Sequence, residues 1–188
     1  GLIINDLRKI LALFDVARIF ITPHHQYPTT VCMSMDRRLT LLDLSKTHNF
    51  AVIEDDYDHD FHYEMRPVPP LSSLPNSENV IHIGSMSKVF APGLRLGYLV
   101  ADKQFVDRVA HEIVLIDRQG NTVTELALAD LMESGEVKKH IRKIRKLYKT
   151  RRDYAAAELI RIFGDKVTFD LPVGGLALWI NVSSMINE

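Results

Sequence analysis

The sequence predicts an α/β fold, a mostly parallel sheet with flanking helices, and two observations carry that expectation. Two short apolar runs, Phe50 to Ile53 and Val80 to Ile83, have the length and composition of buried strands. Each breaks off into polar, reactive residues: Glu54, Asp55, Asp56 and Tyr57 after the first, and Gly84, Ser85, Met86, Ser87 and Lys88 after the second. In an open α/β sheet ligands collect beyond the carboxyl ends of parallel strands, so groups far apart in sequence converge there.

The other elements follow in order. Leu7, Ile10, Leu11 and Phe14 fall on one face of a first helix. Arg18 to Thr22 reads as a strand closed by Pro23, and Asp36 to His48 as a helix with Leu39 and Leu42 inward. Arg66 to Leu74, with Pro67, Pro69 and Pro70, reads as a loop, because proline lacks a ladder donor and fixes φ. Leu96 to Val100 is a further strand, and Val106, Val109, Ala110 and Ile113 mark a helix. Leu128, Leu131 and Met132 lead to a C-cap at Gly135, and a long amphipathic helix runs from about Val137 to Phe163. Leu176 to Val182 is strand-like.

An acid and an amine at the ends of adjacent strands suggest pyridoxal phosphate chemistry. That cofactor needs a carboxylate to keep its pyridine nitrogen protonated and a lysine to hold its aldehyde. Asp55 and Lys88 suit those roles. Arg95 is suited to a bidentate grip on phosphate, with the Ser85 and Ser87 hydroxyls as further donors.

The segments TPHHQYPTT, VIEDDYD, GSMSKVFAPGLRLGY and LPVGGLALWI resemble the fold type I aminotransferase family (class I/II). They are most similar to its branch fused to winged-helix DNA-binding domains, the MocR/GabR-type regulators of the GntR family. The resemblance covers nearly the whole chain. It implies that residues 1–120 form the later part of the cofactor-binding large domain, and that residues 121–188 form an interdomain helix and the start of a small α+β domain. Lys88 matches the lysine bound to the cofactor, Asp55 the pyridine partner, and Tyr57 the hydroxyl that bonds the cofactor's phenolic oxygen. Ser85, Ser87 and Arg95 match the phosphate contacts. Where plain aminotransferases read Asn-Pro-Thr-Gly, this chain has Tyr27, Pro28, Thr29 and Thr30, so Gln26 or Tyr27 stands in for the asparagine contact. Thr30 replaces a glycine that tolerates positive φ, and the turn is expected to be rebuilt or strained.

The same resemblance implies a homodimeric parent protein that binds an amino acid or amine and touches DNA only through a domain outside this chain. The parent is then an effector-sensing regulator or a stand-alone aminotransferase. The chain begins at Gly1 within a helical pattern and stops after a strand-like stretch, which reads as a piece of a longer protein, inactive and cofactor-free by itself.

Composition narrows the remaining classes. With 188 residues, 46% hydrophobic and net charge −1, the chain can bury a sizeable core. One cysteine, Cys32, excludes an internal disulfide framework and points to the cytoplasm. No run approaches about 18 apolar residues, so nothing spans a membrane, and the start lacks signal-peptide character. The Asp55 to His62 cluster is an alternative metal site, because carboxylates and imidazoles are adequate ligands. Asp56 and Asp58 read as structural, pairing with Arg37, Arg38 or Arg66. His24 and His25 read as polar turn residues and His82 as a satisfied core histidine. The basic run from Lys138 to Arg152 could contact nucleic acid electrostatically, but it is interleaved with Ile141, Ile144, Leu147 and Tyr148, which favours a solvated helix face.

Overall fold

Strands β1 (Arg18–Ile21), β2 (Ala51–Asp56), β3 (Val80–Ser85) and β4 (Gly97–Val100) form one sheet in that order in a computed structural model that describes residues 1–64 and 68–182. The first three strands are parallel and β4 is antiparallel at the edge. The side-chain period of two divides the sheet into unlike faces. Val52, Glu54 and Asp56 lie on the buried face with their register partners Val80, His82 and Gly84. Ile53 and Asp55 lie on the other, with Phe20 at 61% exposure and Ile83 at 37%.

Helices α1 (Ile4–Leu13) and α2 (Met35–His48) supply Leu7, Leu11, Leu41 and Leu42 to a core shared with Ile21, Phe50, Val52, Leu71 and Val80. Full burial of each such side chain contributes about 1.5–3 kcal/mol, so this cluster anchors the strands whose ends carry the polar residues. The inward row of α2 is Arg38, Leu41, Leu42 and Ser45, not Leu39, which is 39% exposed. The reason is Arg38. Its buried guanidinium donates to the carbonyls of Met33 (3.0 Å), Pro23 (2.9 Å) and Pro69 (2.9 Å), tying α2 to two loops and turning the helix toward them.

At the sheet edge the Tyr98 ring occupies the space over Gly84, its register partner, and any side chain at Gly84 would collide with it. Helix α3 (Met86–Val89) directly follows β3. Helix α4 (Lys103–Asp117) starts at Asp102, whose Oδ1 accepts from Phe105 N at 3.1 Å. Helix α5 (Thr122–Glu133) starts at Asn121, and Gly135, at φ 79°, makes the left-handed break before α6 (Glu136–Phe163). The inward face of α6 packs on the segment after β2. Tyr148 meets Phe61 edge-on at 5.1 Å, Arg145 Nε donates to Asp60 O at 2.8 Å, and Arg152 pairs with Glu64 at 2.9 Å.

The strand-like stretch 176–182 pairs only at its end: β6 (Asn181–Val182) lies antiparallel to β5 (Val167–Thr168). Upstream, Gly174 bridges to His62 instead. The proline-rich stretch closes with a short 3-10 turn at Leu71–Ser73, while Arg66 and Pro67 lie outside the described residues. No described helix is long and apolar enough to cross a membrane.

Candidate functional site

Because β2 and β3 are parallel, their carboxyl ends open on the same side, and both strands run further than their apolar cores suggest. Asp55 and Ser85 therefore lie inside strands, not beyond them. Asp55 is opposite Ile83, and Ser85, two residues on, shares its face. The Asp55 carboxylate is half-buried and forms no hydrogen bond or ion pair among the described residues. Burial and then the charges of Asp56 and Asp58 push its pKa above the ordinary carboxylate value, against a smaller opposing effect of His82.

The Ser85 Oγ caps α3 by accepting from Ser87 N at 3.2 Å, which leaves its O–H free to donate outward. Lys88, in the same single turn, is exposed, and its ammonium has no carboxylate partner among the described residues. Arg95 closes the 3-10 turn Pro92–Leu94 in a left-handed conformation, φ 52°, the kind of backbone cost that surrounding structure must sustain. The next residue, Leu96, accepts from Met86 N at 3.0 Å, so Arg95 is brought back to the turn holding Ser85, Ser87 and Lys88.

Tyr57 follows β2 directly. Burial, with the nearby negative charges of Asp58 and Asp55, pushes its hydroxyl up to about 12, so it remains a proton donor at neutral pH. With Asp56, Ser85 and Tyr98 it lines a cavity of about 150 Å³ closed by Val137 and Ile141 of α6. Tyr27 follows the neighbouring parallel strand β1, with its N–H on Thr22 Oγ1 at 2.9 Å and its ring largely exposed. Thr30 adopts φ 63°, so the turn keeps the left-handed backbone although a threonine stands there.

Behind the half-buried Asp55 lies a set of buried imidazole–carboxylate pairs that sequence patterning missed. His24 and His25 lie in the bend after β1, as expected of turn residues, but both are buried. The first faces Asp56, Nδ1 to Oδ1 at 3.0 Å, and makes a 2.6 Å hydrogen bond through Nε2 with Val68 O; the second bonds Asp58 at 2.9 Å. Asp56 and Asp58 thus pair with histidines, whereas Arg38 bonds carbonyls and Arg66 lies outside the described residues. Burial raises the Asp56 pKa, but His24, His59 and His82 together outweigh it and hold the carboxyl below its ordinary value. A doublet of histidines at one strand end and alternating acids at the next was the available sequence signal.

His82 is the core histidine expected, bonded through Nδ1 to fully buried Glu54 at 2.9 Å, while Glu54 also accepts from Leu71 N and Ser72 N. Burial alone would lower its pKa, yet the Glu54 carboxylate and then Asp56 raise it. A histidine whose folded pKa exceeds the unfolded value of about 6.5 stabilises fully below that value and loses the contribution as pH rises through the folded pKa. The urea midpoint of His82→Gln is therefore expected to lie further below that of the unmodified protein at about pH 6 than at about pH 9; equal gaps would show that the pair contributes no titrating stability.

Among the described residues no three His, Cys, Asp or Glu side chains are grouped to hold a metal ion, and two acids of the Asp55 to His62 run, Asp56 and Asp58, pair with His24 and His25. The profile of the family described as Aminotransferase class I and II matches residues 5–185. The chain belongs to this family. As a class I and II aminotransferase sequence it is 33% identical over 160 residues to the probable rhizopine catabolism regulatory protein MocR of Rhizobium meliloti, covering 85% of this chain and 32% of that protein. It is 31% identical over 169 residues to aromatic-amino-acid aminotransferase 1 of Thermococcus litoralis, covering 90% of this chain and 40% of the enzyme. The crystal structure of Pyrococcus horikoshii kynurenine aminotransferase superposes with TM-score 0.90 at 31% identity, over 99% of this chain and 47% of that one. The chain thus spans about a third of the MocR regulator and about half of the kynurenine aminotransferase.

Proposed function

We propose that these 188 residues are the later part of a pyridoxal-phosphate-binding domain, with residues 1–120 in its large domain and 121–188 leading into the small one, and that the parent protein is a regulator that senses an amine or amino acid. The observation that carries this reading is the half-buried Asp55 carboxylate, unpaired among the described residues, on the same sheet face as Ser85, which opens the turn carrying Lys88.

The residues fit the cofactor. A carboxylate destabilised by burial and like charge is relieved by a cationic ring nitrogen, and two serine hydroxyls with one guanidinium form a phosphate cradle. Pyridoxal phosphate, when bound, supplies an amine-capturing aldehyde and an electron-accepting ring. Asp55 keeps the ring nitrogen protonated. Lys88 Nζ would hold the aldehyde, and its free amine would serve as a general base that moves a proton. The Tyr57 hydroxyl donates to the phenolic oxygen. Tyr27 or Gln26 stands at the position of the asparagine contact.

Borohydride reduction of the loaded parent, followed by peptide mapping, is expected to leave the pyridoxyl group on Lys88. Label on Lys103 or any other lysine would contradict the assignment.

The regulator reading draws support from the MocR relative and from the HHQYP and EDDYD wording of the site loops. A stand-alone aminotransferase is the second reading, favoured by the Thermococcus enzyme. A winged helix in the parent reading frame and amine-dependent DNA binding would decide for the regulator; steady turnover without DNA binding would decide for the enzyme. The single cysteine suits a cytoplasmic parent.

We further propose a homodimer, supported by the apolar side chains that α4 and α5 leave in solvent, among them Val114, Leu115, Ile116, Val123 and Leu126. Light scattering on the intact parent is expected to give twice the chain mass. A monomer that retains cofactor tightly would overturn the proposal.

A further inference from the structure

We propose that the outward face of α6 is a DNA-phosphate-binding surface, supplying sequence-independent contacts beyond those of any recognition module outside this chain. The proposal rests on the regulator reading above.

Helix α6 sorts its cations by face. The inward ones are occupied: Arg145 bonds Asp60 O, Lys149 pairs with Glu64 at 3.1 Å, and Arg152 with Glu64 and Asp153. The outward ones in its first three turns are Lys138, Lys139, Arg142, Lys143 and Lys146, all exposed. Of these only Lys139 meets a carboxylate among the described residues, Glu136 at 3.4 Å. The sequence holds no acidic residue between Glu136 and Asp153 to neutralise the row.

This arrangement is unfavourable for an isolated helix. Lys138 with Arg142, Arg142 with Lys146, and Lys139 with Lys143 stand at i,i+4, where like charges repel. Lys138 and Lys139 also occupy the first turn, at the positive end of the helix dipole. A chain of net charge −1 has no general excess of base to explain such a concentration. Cations repeated at i,i+4 follow one another about 6 Å apart along the axis, forming a ridge inclined to the axis and complementary to a polyanion. Duplex DNA is the polyanion that a regulator meets. The solvated-face pattern seen in the sequence is retained on this reading, with phosphates replacing counterions.

The test uses the full-length parent and a duplex carrying its operator, compared with a scrambled duplex, across a salt series. The probe variant is K138Q/R142Q/K146Q, with K103Q as control, since Lys103 lies exposed on α4 and pairs with Asp107. Each phosphate contact contributes about 0.9 to the slope of log K against log salt, so three lost contacts should flatten it by roughly 2.7 and shrink the gap to the unmodified protein about 40-fold between about 50 and 200 mM salt. Affinity should fall alike for operator and scrambled DNA, with the cofactor absorbance unchanged and the melting temperature not lowered, since the variant relieves the like-charge repulsion. Specific DNA binding with an unaltered slope in the triple variant would overturn this inference alone. A parent that binds no DNA at any salt would overturn the regulator reading and this inference together.

Discussion

Asp55→Asn in the parent protein is expected to slow exchange of the α-proton of a bound amino acid by at least about 100-fold, while raising the melting temperature of the cofactor-free protein. The two effects have one origin. The carboxylate is half-buried beside Asp56 and Asp58 and finds no partner among the described residues, so its ionised form is disfavoured in the folded chain. An aspartate whose folded pKa lies above the unfolded value of about 3.9 destabilises the fold at neutral pH, and the penalty fades as pH falls below that value. An amide removes the penalty but cannot hold a ring nitrogen protonated. The stability gain should accordingly be present at neutral pH and absent at about pH 3. Unimpaired proton exchange in the variant would assign the pyridine contact to another group, and a lower melting temperature would make Asp55 a structural residue. Loss of function coupled to gain of stability is the signature of a strained active-site group.

What the sequence made legible and what it hid follow from the range of the interactions involved. The strands were readable because Phe50 to Ile53 and Val80 to Ile83 are locally apolar, and the helix from Glu136 to Phe163 because its inward face repeats at helical spacing. The candidate site positions could be named from the sequence because they cluster within short segments that resemble a known family.

The buried polar pairs were not readable. His82 meets Glu54 only through the parallel register of two strands, and the pair lets β2 carry Glu54 and Asp56 inside the sheet, beyond its apolar run. Arg38 is inward because three carbonyls from other segments converge on it, which no hydropathy pattern records. The rotation of α2 away from Leu39 has the same cause. In each case a long-range partner compensates a locally unfavourable burial.

The same long-range logic makes Gly174, which bridges to His62 in the stretch after β2, a sensitive position. Gly174→Ala is expected to destabilise the chain by about 2 kcal/mol, within the 1–3 kcal/mol typical of overpacking, and to lower its melting temperature by roughly 4–8 °C. A Cβ there would lie 2.6 Å from the Phe61 carbonyl oxygen and closer still to His25 Nε2. Neither neighbour can retreat. Phe61 is buried, and its carbonyl accepts from Gly175 N at 2.7 Å; His25 is buried and bonded to Asp58 at 2.9 Å. Gly175 itself sits at φ 82°, so the strap cannot readjust by one residue without strain. Tyr63 donates to Gly175 O at 2.8 Å and Arg152 to Pro172 O, so displacing the strap also strips partners from the segment after β2 and from α6. Gly93→Ala is the matched control: nothing lies within 4 Å of its added carbon, and it should melt with the unmodified protein. If Gly174→Ala melted with that control, the strap would not be held against His25 and Phe61 in solution.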